Sequence, residues 1–231
     1  MGILLRTRAA GVSEQMDRAD CDARLLENTY RQFWVINRVL SGWRRLYGRE
    51  LRTIVKPDQR PVTVLDIGSG GGDLAVMLAR WANRDGKPMH VTGIDPDPRA
   101  AAFAARRIPT QGVEFRQAHS GDLVREGARF DVVISNHVLH HLEPRELRQL
   151  LADSEVLAAK KALHNDLIRS PAAFALFGVA ALPFPKSYIR ADGLTSIRRS
   201  YTPGELAASA PPGWSVEPSS AFHQVLAYRK S

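Results

Sequence analysis

The residues with the clearest chemical meaning sit between two apolar runs. Val62-Thr63-Val64-Leu65-Asp66-Ile67 reads as a buried strand, Gly68-Ser69-Gly70-Gly71-Gly72 as a tight turn, and Asp73-Leu74-Ala75-Val76 as the opening of a helix. Glycines allow the turn and let a ligand approach the backbone, and a helix start offers free N–H donors. The spacing fails as a dinucleotide fingerprint, because Asp73 stands where the third glycine belongs and its carboxylate opposes a pyrophosphate. A phosphate-cradling Walker loop fails too, since no Gly-Lys-Ser or Gly-Lys-Thr ends the run. Asp66 at the strand tip suits a cationic amino group better than phosphates. Asp95, in Gly-Ile-Asp-Pro-Asp-Pro, ends the next strand, where an acid can accept both hydrogen bonds of a ribose diol. Loop and acids together ask for an adenosine with a positive, amino-acid-like end.

A second group lies past the fourth strand candidate, where His137, His140 and His141 follow Phe130–Asn136. A helical turn there sets His137 beside both other histidines. At a helix N-terminus the dipole keeps an imidazole neutral and available as a base, which makes His137 the leading catalytic residue and His140 its companion. His164, Asp166 and His223 are weaker candidates, the first two at the end of the fifth strand on the same rim. The lone Cys21 excludes an internal disulfide and any multi-cysteine metal site, so no metal centre is expected.

These residues need a sheet to hold them. The short β-rich runs VTVLDI, HVTGID, VEFRQA and FDVVIS alternate with GDLAVMLARWA and PRAAAFAARRI, the pattern of βαβ units and a parallel sheet. KALHNDLI is a fifth strand after a helix from Pro144 to about Ala159, and Trp214–Glu217 with Phe222–Tyr228 form an antiparallel hairpin at the sheet edge. The fold class is therefore α/β: a doubly wound, mostly parallel, seven-stranded sheet. Before it, apolar residues from Leu26 to Ile54 recur every three or four positions, giving helices broken at Ser41-Gly42. Residues 1–58 read as a helical cap and 59–231 as the sheet domain, with 168–212 a helical substrate-cap insertion that starts its last helix at a Thr202/Glu205 capping box.

With 231 residues, 44% hydrophobic and 24% charged, the chain is an ordinary globular protein of one elaborated domain. The net charge of +8 is only partly concentrated, in clusters at Arg44, Arg45, Arg49, Arg52 and Lys56 and at Arg190, Arg198 and Arg199. Aromatic residues do not interleave with either group as a single-strand-binding platform requires, so both read as solvated faces. The most apolar stretch, Ala172 to Phe184, is too short to span a bilayer, and the opening residues do not form a secretory signal, so a cytoplasmic location is expected.

The combination resembles the class I S-adenosylmethionine-dependent methyltransferases. VLDIGSGGG is similar to their first motif, GIDPDP to their ribose-binding acid and FDVVISNHVLHHL to their strand-four motif. The resemblance implies that Asp66, Gly68 and Gly70 flank the methionine part of S-adenosylmethionine, that Asp95 holds the ribose and that the loop after the third strand covers the adenine. His119 stands where many members place an acid, with Ser120 or Asp122 as substitutes. Asp66, Gly68, Ser69, Gly70, Asp95, Pro96, His119, Ser120 and Asn136 form the implied cofactor set. TYRQFWVINRVLSGWRRLY, HNDLIRSP and SYTPGEL resemble a branch of small-molecule O-methyltransferases acting on phenolic polyketides, pyrones and quinones.

The expected reaction is methyl transfer to a small, fairly apolar acceptor, with positioning as the main contribution and a base adding about 10²–10⁴-fold. Phe33, Trp34, Phe174 and Phe177 are the expected pocket walls. Two other readings stand beside it. An RNA or DNA methyltransferase draws on the basic charge, but SNHV replaces the Asn/Asp-Pro-Pro-aromatic signature for a flipped amino-base. A non-catalytic partner module with the cofactor fold is the other.

Overall fold

The computed structural model describes residues 5–54 and 60–230, and the expected boundary at 58/59 lies outside them. Strands β1 (Val62–Ile67), β2 (Met89–Asp95), β3 (Val113–Gln117), β4 (Phe130–Asn136), β5 (Ala158–Leu167), β6 (Trp214–Ser220) and β7 (His223–Arg229) form one seven-stranded sheet in the order β3-β2-β1-β4-β5-β7-β6. Strands β1 to β5 run parallel, while β7 is antiparallel to both β5 and β6. The doubly wound, mostly parallel sheet expected from the sequence is therefore present, with β7 inserted between β5 and the edge strand β6.

The strands vary in apolar content because the sheet is covered unevenly. Central β1 and β4 are buried almost throughout, as a parallel sheet with both faces covered requires, whereas β3 is exposed at alternate positions. On one face pack α2 (Trp43–Leu46), continued by a π turn over Tyr47–Leu51, and α3 (Asp73–Arg84), through Trp43, Tyr47, Leu51, Leu78 and Trp81. On the other, Leu123, Leu147, Leu151 and Leu206 bring in α5 (Ser120–Arg125), α6 (Pro144–Leu157) and α9 (Pro203–Ser209). Helix α4 (Pro98–Ala105) lies along β2 and β3.

Helix α1 (Ala23–Val39) ends just before the expected break, and Gly42 at φ +75° turns the chain into α2. Between β5 and β6 lie α7 (Pro171–Ala180), α8 (Ile189–Arg199) and α9, the last opened by the Thr202/Glu205 capping box. Two boundaries move. α6 stops at Leu157 and β5 begins at Ala158, because Ala158 already pairs with Phe130 across a register shift in β4. The basic clusters are not simply solvated faces. Arg49 and Arg52 meet Glu50, Glu217 and Asp85, while Arg199 is buried with its guanidinium donating to the carbonyls of His140 and His141.

The start of β4 is tied to its neighbours by one buried acid. Asp131, 2% exposed, accepts from Arg60 Nη1 at 2.7 Å and Thr63 N at 3.0 Å, and Lys160 Nζ lies 3.1 Å away. Burial raises its proton affinity, but Arg60, the Thr63 N–H and Lys160 outweigh that and bring its pKa from 3.8 to about 2. A lowered carboxylate stabilises the fold above its ordinary pKa and loses that contribution as pH falls towards the folded value. Asp131→Asn should therefore cost about 2 kcal/mol at pH 7. In urea titrations the gap between variant and wild type should close as pH falls from 3.8 to about 2.

Candidate active site

At the carboxyl ends of β1, β2 and β4, where the strand order reverses, lies a cavity of about 490 Å³. Its floor is the glycine turn with Asp66, Asp73 and Asp95. Its roof comes from α1 through Tyr30, Phe33, Ile36 and Leu40, and from α7 and α8 through Leu176, Phe177, Ile189 and Ile197. Leu176 is also exposed, so the cavity opens beside α7.

The turn is held by backbone. Gly68 N and Ser69 N donate to Ile94 O at 2.8 and 2.9 Å, and Gly70 N donates to Asp95 Oδ2 at 2.9 Å. Gly70 has φ +53°, and a Cβ there meets nothing within 4 Å, so the loop borders open space. Asp95 Oδ1 accepts from Asp97 N at 2.9 Å, and burial, only partly offset by these two N–H groups, raises its pKa. Asp66 is 1% exposed and its Oδ2 has no hydrogen-bond partner. Burial first, then Asp73 and Asp95, push its carboxyl well up. An unpartnered carboxyl oxygen on this floor is chemically incomplete, and a cationic ammonium group completes it.

Asp73 is held by a chain of amides. Asn37 Nδ2 on α1 donates to Asp73 Oδ2 at 2.7 Å, and Asn136 Nδ2 at the tip of β4 donates to Asn37 Oδ1 at 3.1 Å. Asn136 Oδ1 in turn accepts from Trp43 Nε1 at 2.8 Å and Asn165 Nδ2 at 2.9 Å. Asn136 thus lines the cavity while bracing the N-terminal helices against the sheet.

The three histidines do not share one helical face. His137 adopts φ +59°, in the left-handed region, with its N–H donating to Asn165 O at 2.9 Å, and only Leu139–His141 form a short 3₁₀ turn. The ring of His137 is turned to His223, Nε2 to Nε2 at 3.0 Å, and His223 Nδ1 lies 2.9 Å from Ser220 Oγ. Burial and then His223 lower the His137 pKa to about 3, so burial, and not a helix dipole, keeps it neutral. His140 is buried with Nδ1 2.7 Å from Asp166 Oδ1 and Nε2 3.4 Å from Glu14 Oε1. Burial favours its neutral form, but Asp166 and Glu14 prevail and raise its pKa to about 9, so a proton already occupies the nitrogens a base needs. His164 lies between Ser135 Oγ and Ser154 Oγ, its pKa lowered by burial to about 3, outside the cavity lining.

Of the residues expected to hold cofactor, Asp66, Gly68, Ser69, Gly70, Asp95, Pro96 and Asn136 line one cavity, together with His137 and His140. His119 and Ser120 are not among its lining residues. Ser120 Oγ donates to Asp153 Oδ2 at 2.6 Å, and His119 is exposed before α5. Phe33 and Phe177 form wall, whereas Trp34 packs on the core behind it and Phe174 beside Ile197. Sequence reasoning missed Tyr30, Asn37 and Asp73 as wall, and Glu14, Asp17 and Asp192 as its acids. Asn37 carried a signal, a polar residue on the 26/30/33/37/40 stripe of a helix that buries that face. Glu14 carried none.

Residues 64–160 match the family described as "Methyltransferase domain". Over 100 residues the chain is 33% identical to the ubiquinone biosynthesis O-methyltransferase of Azorhizobium caulinodans, covering 42% of this chain and 36% of that protein. Over 126 residues it is 34% identical to the ribosomal protein L11 methyltransferase of Geobacter sulfurreducens, covering 54% of this chain and 36% of that one. The chain thus spans little more than a third of the length of these relatives. The plantazolicin methyltransferase in complex with SAH shares its fold at a TM-score of 0.61 and 13% identity, over 89% of this chain and 96% of that one. The glycine turn, the acid ending β2 and the strand order thus stand in and around a stretch, residues 64–160, that is similar to a methyltransferase domain.

Proposed function

We propose that the chain binds S-adenosylmethionine and transfers its methyl group to a phenolic or enolic hydroxyl of a small, fairly apolar acceptor. The observation that carries this reading is the unpartnered Asp66 oxygen on the floor of a cavity whose roof is apolar and whose rim holds a neutral histidine. The likeness to ubiquinone biosynthesis O-methyltransferases supports a hydroxyl acceptor. A chamber walled by Phe33, Ile36, Phe177 and Ile197 favours a small planar molecule over a protein or nucleic-acid chain.

The cofactor, when bound, supplies a methyl group on a sulfonium that is already activated towards a nucleophile. Asp66 receives the amino group, the open side of Gly70 admits the backbone of the amino-acid part, and Asp95 keeps lone pairs for the ribose hydroxyls. Asn136 holds the floor rigid through Asn37 and Trp43. The apolar roof excludes water and aligns the acceptor oxygen, so positioning carries most of the rate. His137 uses Nε2 towards His223, leaving Nδ1 as its second ring nitrogen for the acceptor proton. With a pKa of about 3 it is a weak base, always unprotonated at working pH, so its share falls at the low end of general-base catalysis.

Three outcomes are expected. Asp95→Ala should weaken S-adenosylmethionine binding by about 1.5–3 kcal/mol in calorimetry while the fold persists by circular dichroism. Since the Asp66 carboxyl is held up in the free protein, an incoming ammonium should displace its proton; binding heats measured in buffers of different ionisation enthalpy should reveal proton release, absent in Asp66→Asn. His137→Ala should keep cofactor affinity and lower turnover of a phenol by about 10²-fold at pH 7, the loss shrinking as pH approaches the phenol's own pKa. An unchanged rate means that His137 only packs, and a collapse of cofactor affinity places it in the cofactor shell.

A further inference from the structure

We propose that Glu14, His140 and His141 form a site for one divalent transition-metal ion in the wall of the cavity, against the expectation from the sequence that the chain has no metal centre. The argument starts from the far side of each imidazole. His140 Nδ1 is 2.7 Å from Asp166 Oδ1, and His141 Nδ1 is 3.1 Å from Asp17 Oδ2. A carboxylate at Nδ1 accepts that nitrogen's proton and fixes the ring with Nε2 on the opposite side, the support that metal-ligating histidines usually have. Two neighbouring histidines with this support from two different acids are hard to explain as packing alone.

Both Nε2 atoms converge on one oxygen. His140 Nε2 lies 3.4 Å and His141 Nε2 3.7 Å from Glu14 Oε1, and the three atoms fall within 4.8 Å of one another. Bonds of about 2.0–2.2 Å place the ligand atoms of a tetrahedral ion about 3.3 Å apart, so small side-chain rotations close the set. An independent observation points the same way: His140 is 1% exposed, and its Nε2 has no hydrogen-bond partner.

The surroundings keep the donors in place. Asp192 accepts from Gln15 N at 2.8 Å and Met16 N at 2.9 Å, and Ser196 Oγ donates to Glu14 Oε1 at 2.7 Å, fixing the segment that carries Glu14. Arg8 and Arg199 both donate to His140 O, bracing the histidine turn from behind. Two imidazoles and one carboxylate suit zinc and its first-row neighbours, and three protein ligands leave a position open. All three ligands line the cavity, so the open position faces it, and an acceptor oxygen such as a phenolate or a vicinal diolate is the ligand chemistry that fills it. That last step rests on the methyl-transfer reading, whereas the metal site itself does not.

The test uses the full chain, stripped with chelator and desalted, without cofactor or acceptor. Zinc chloride followed by calorimetry should bind at one ion per chain in the micromolar range or tighter, and cobalt(II) should give visible bands of a low-coordinate nitrogen–oxygen site. Glu14→Gln and His141→Ala should each weaken zinc by more than about 100-fold, and Asp17→Asn by about 10-fold, with circular dichroism unchanged. His141 is partly exposed, so its variant reads the site even if Glu14→Gln disturbs the fold. Absence of a one-to-one ion, or zinc bound equally well by His141→Ala and Asp17→Asn, overturns the proposal. Catechol added to the cobalt-loaded protein should shift the bands; unshifted bands overturn the acceptor-ligand step alone, and no result here depends on methyl transfer.

Discussion

The amide relay from Asp73 through Asn37 to Asn136, and on to Trp43 and Asn165, is the constraint on which the site depends. It joins α1, α2, α3, β4 and β5 through hydrogen bonds that can form only in one docking of the N-terminal helices on the sheet. Apolar packing through Trp43, Tyr47 and Leu51 supplies most of the adhesion, but it is not directional. A slip of the helix by one residue would leave the buried Asp73 without its Asn37 partner, at a cost of about 1–3 kcal/mol. The relay therefore sets where Tyr30, Phe33 and Leu40 stand above the glycine turn, and so the cavity's shape.

Charge follows from that geometry. The floor gathers Asp66, Asp73 and Asp95, of which Asp73 is bonded to Asn37 and Asp95 to two loop N–H groups, while Asp66 keeps one oxygen unpartnered. Opposite polarities sit a short way along the wall. His140 is held protonated by Asp166 and Glu14, whereas His137 and His223 are driven neutral by burial, with pKa values near 3 and 4. Neighbouring histidines thus take different roles according to whether acids or only apolar surface surround them. The left-handed backbone of His137 is part of the same arrangement, since it turns that ring away from His140 and towards His223.

The N-terminal segment before α1 adds what the parallel sheet lacks. Glu14 and Asp17 reach the cavity wall because Asp192 on α8 accepts the backbone N–H groups between them. Two segments that are remote in sequence, one before β1 and one between β5 and β6, complete the wall around the histidine turn. The proposed metal site is built at that junction.

Strand-forming runs, the glycine turn, Asp66 and Asp95 were legible in the sequence because their chemistry is local: a strand, a turn and a helix start lie within a dozen residues. The seven-stranded sheet was legible for the same reason, since alternating periods imply parallel crossovers before any contact is known. Tertiary structure alone decided the histidines. Their spacing suggested one helical face, but the positive φ of His137 and the arrival of Glu14, Asp166 and His223 from other elements separated His140, set between acids, from His137, turned to His223. It also decided that Ser120 turns to Asp153, away from the cavity, and that Arg199 is a buried brace for the histidine turn. A side chain's partners depend on which distant segments fold against it, and its proton affinity depends on those partners, so neither could be read from residue types and spacing.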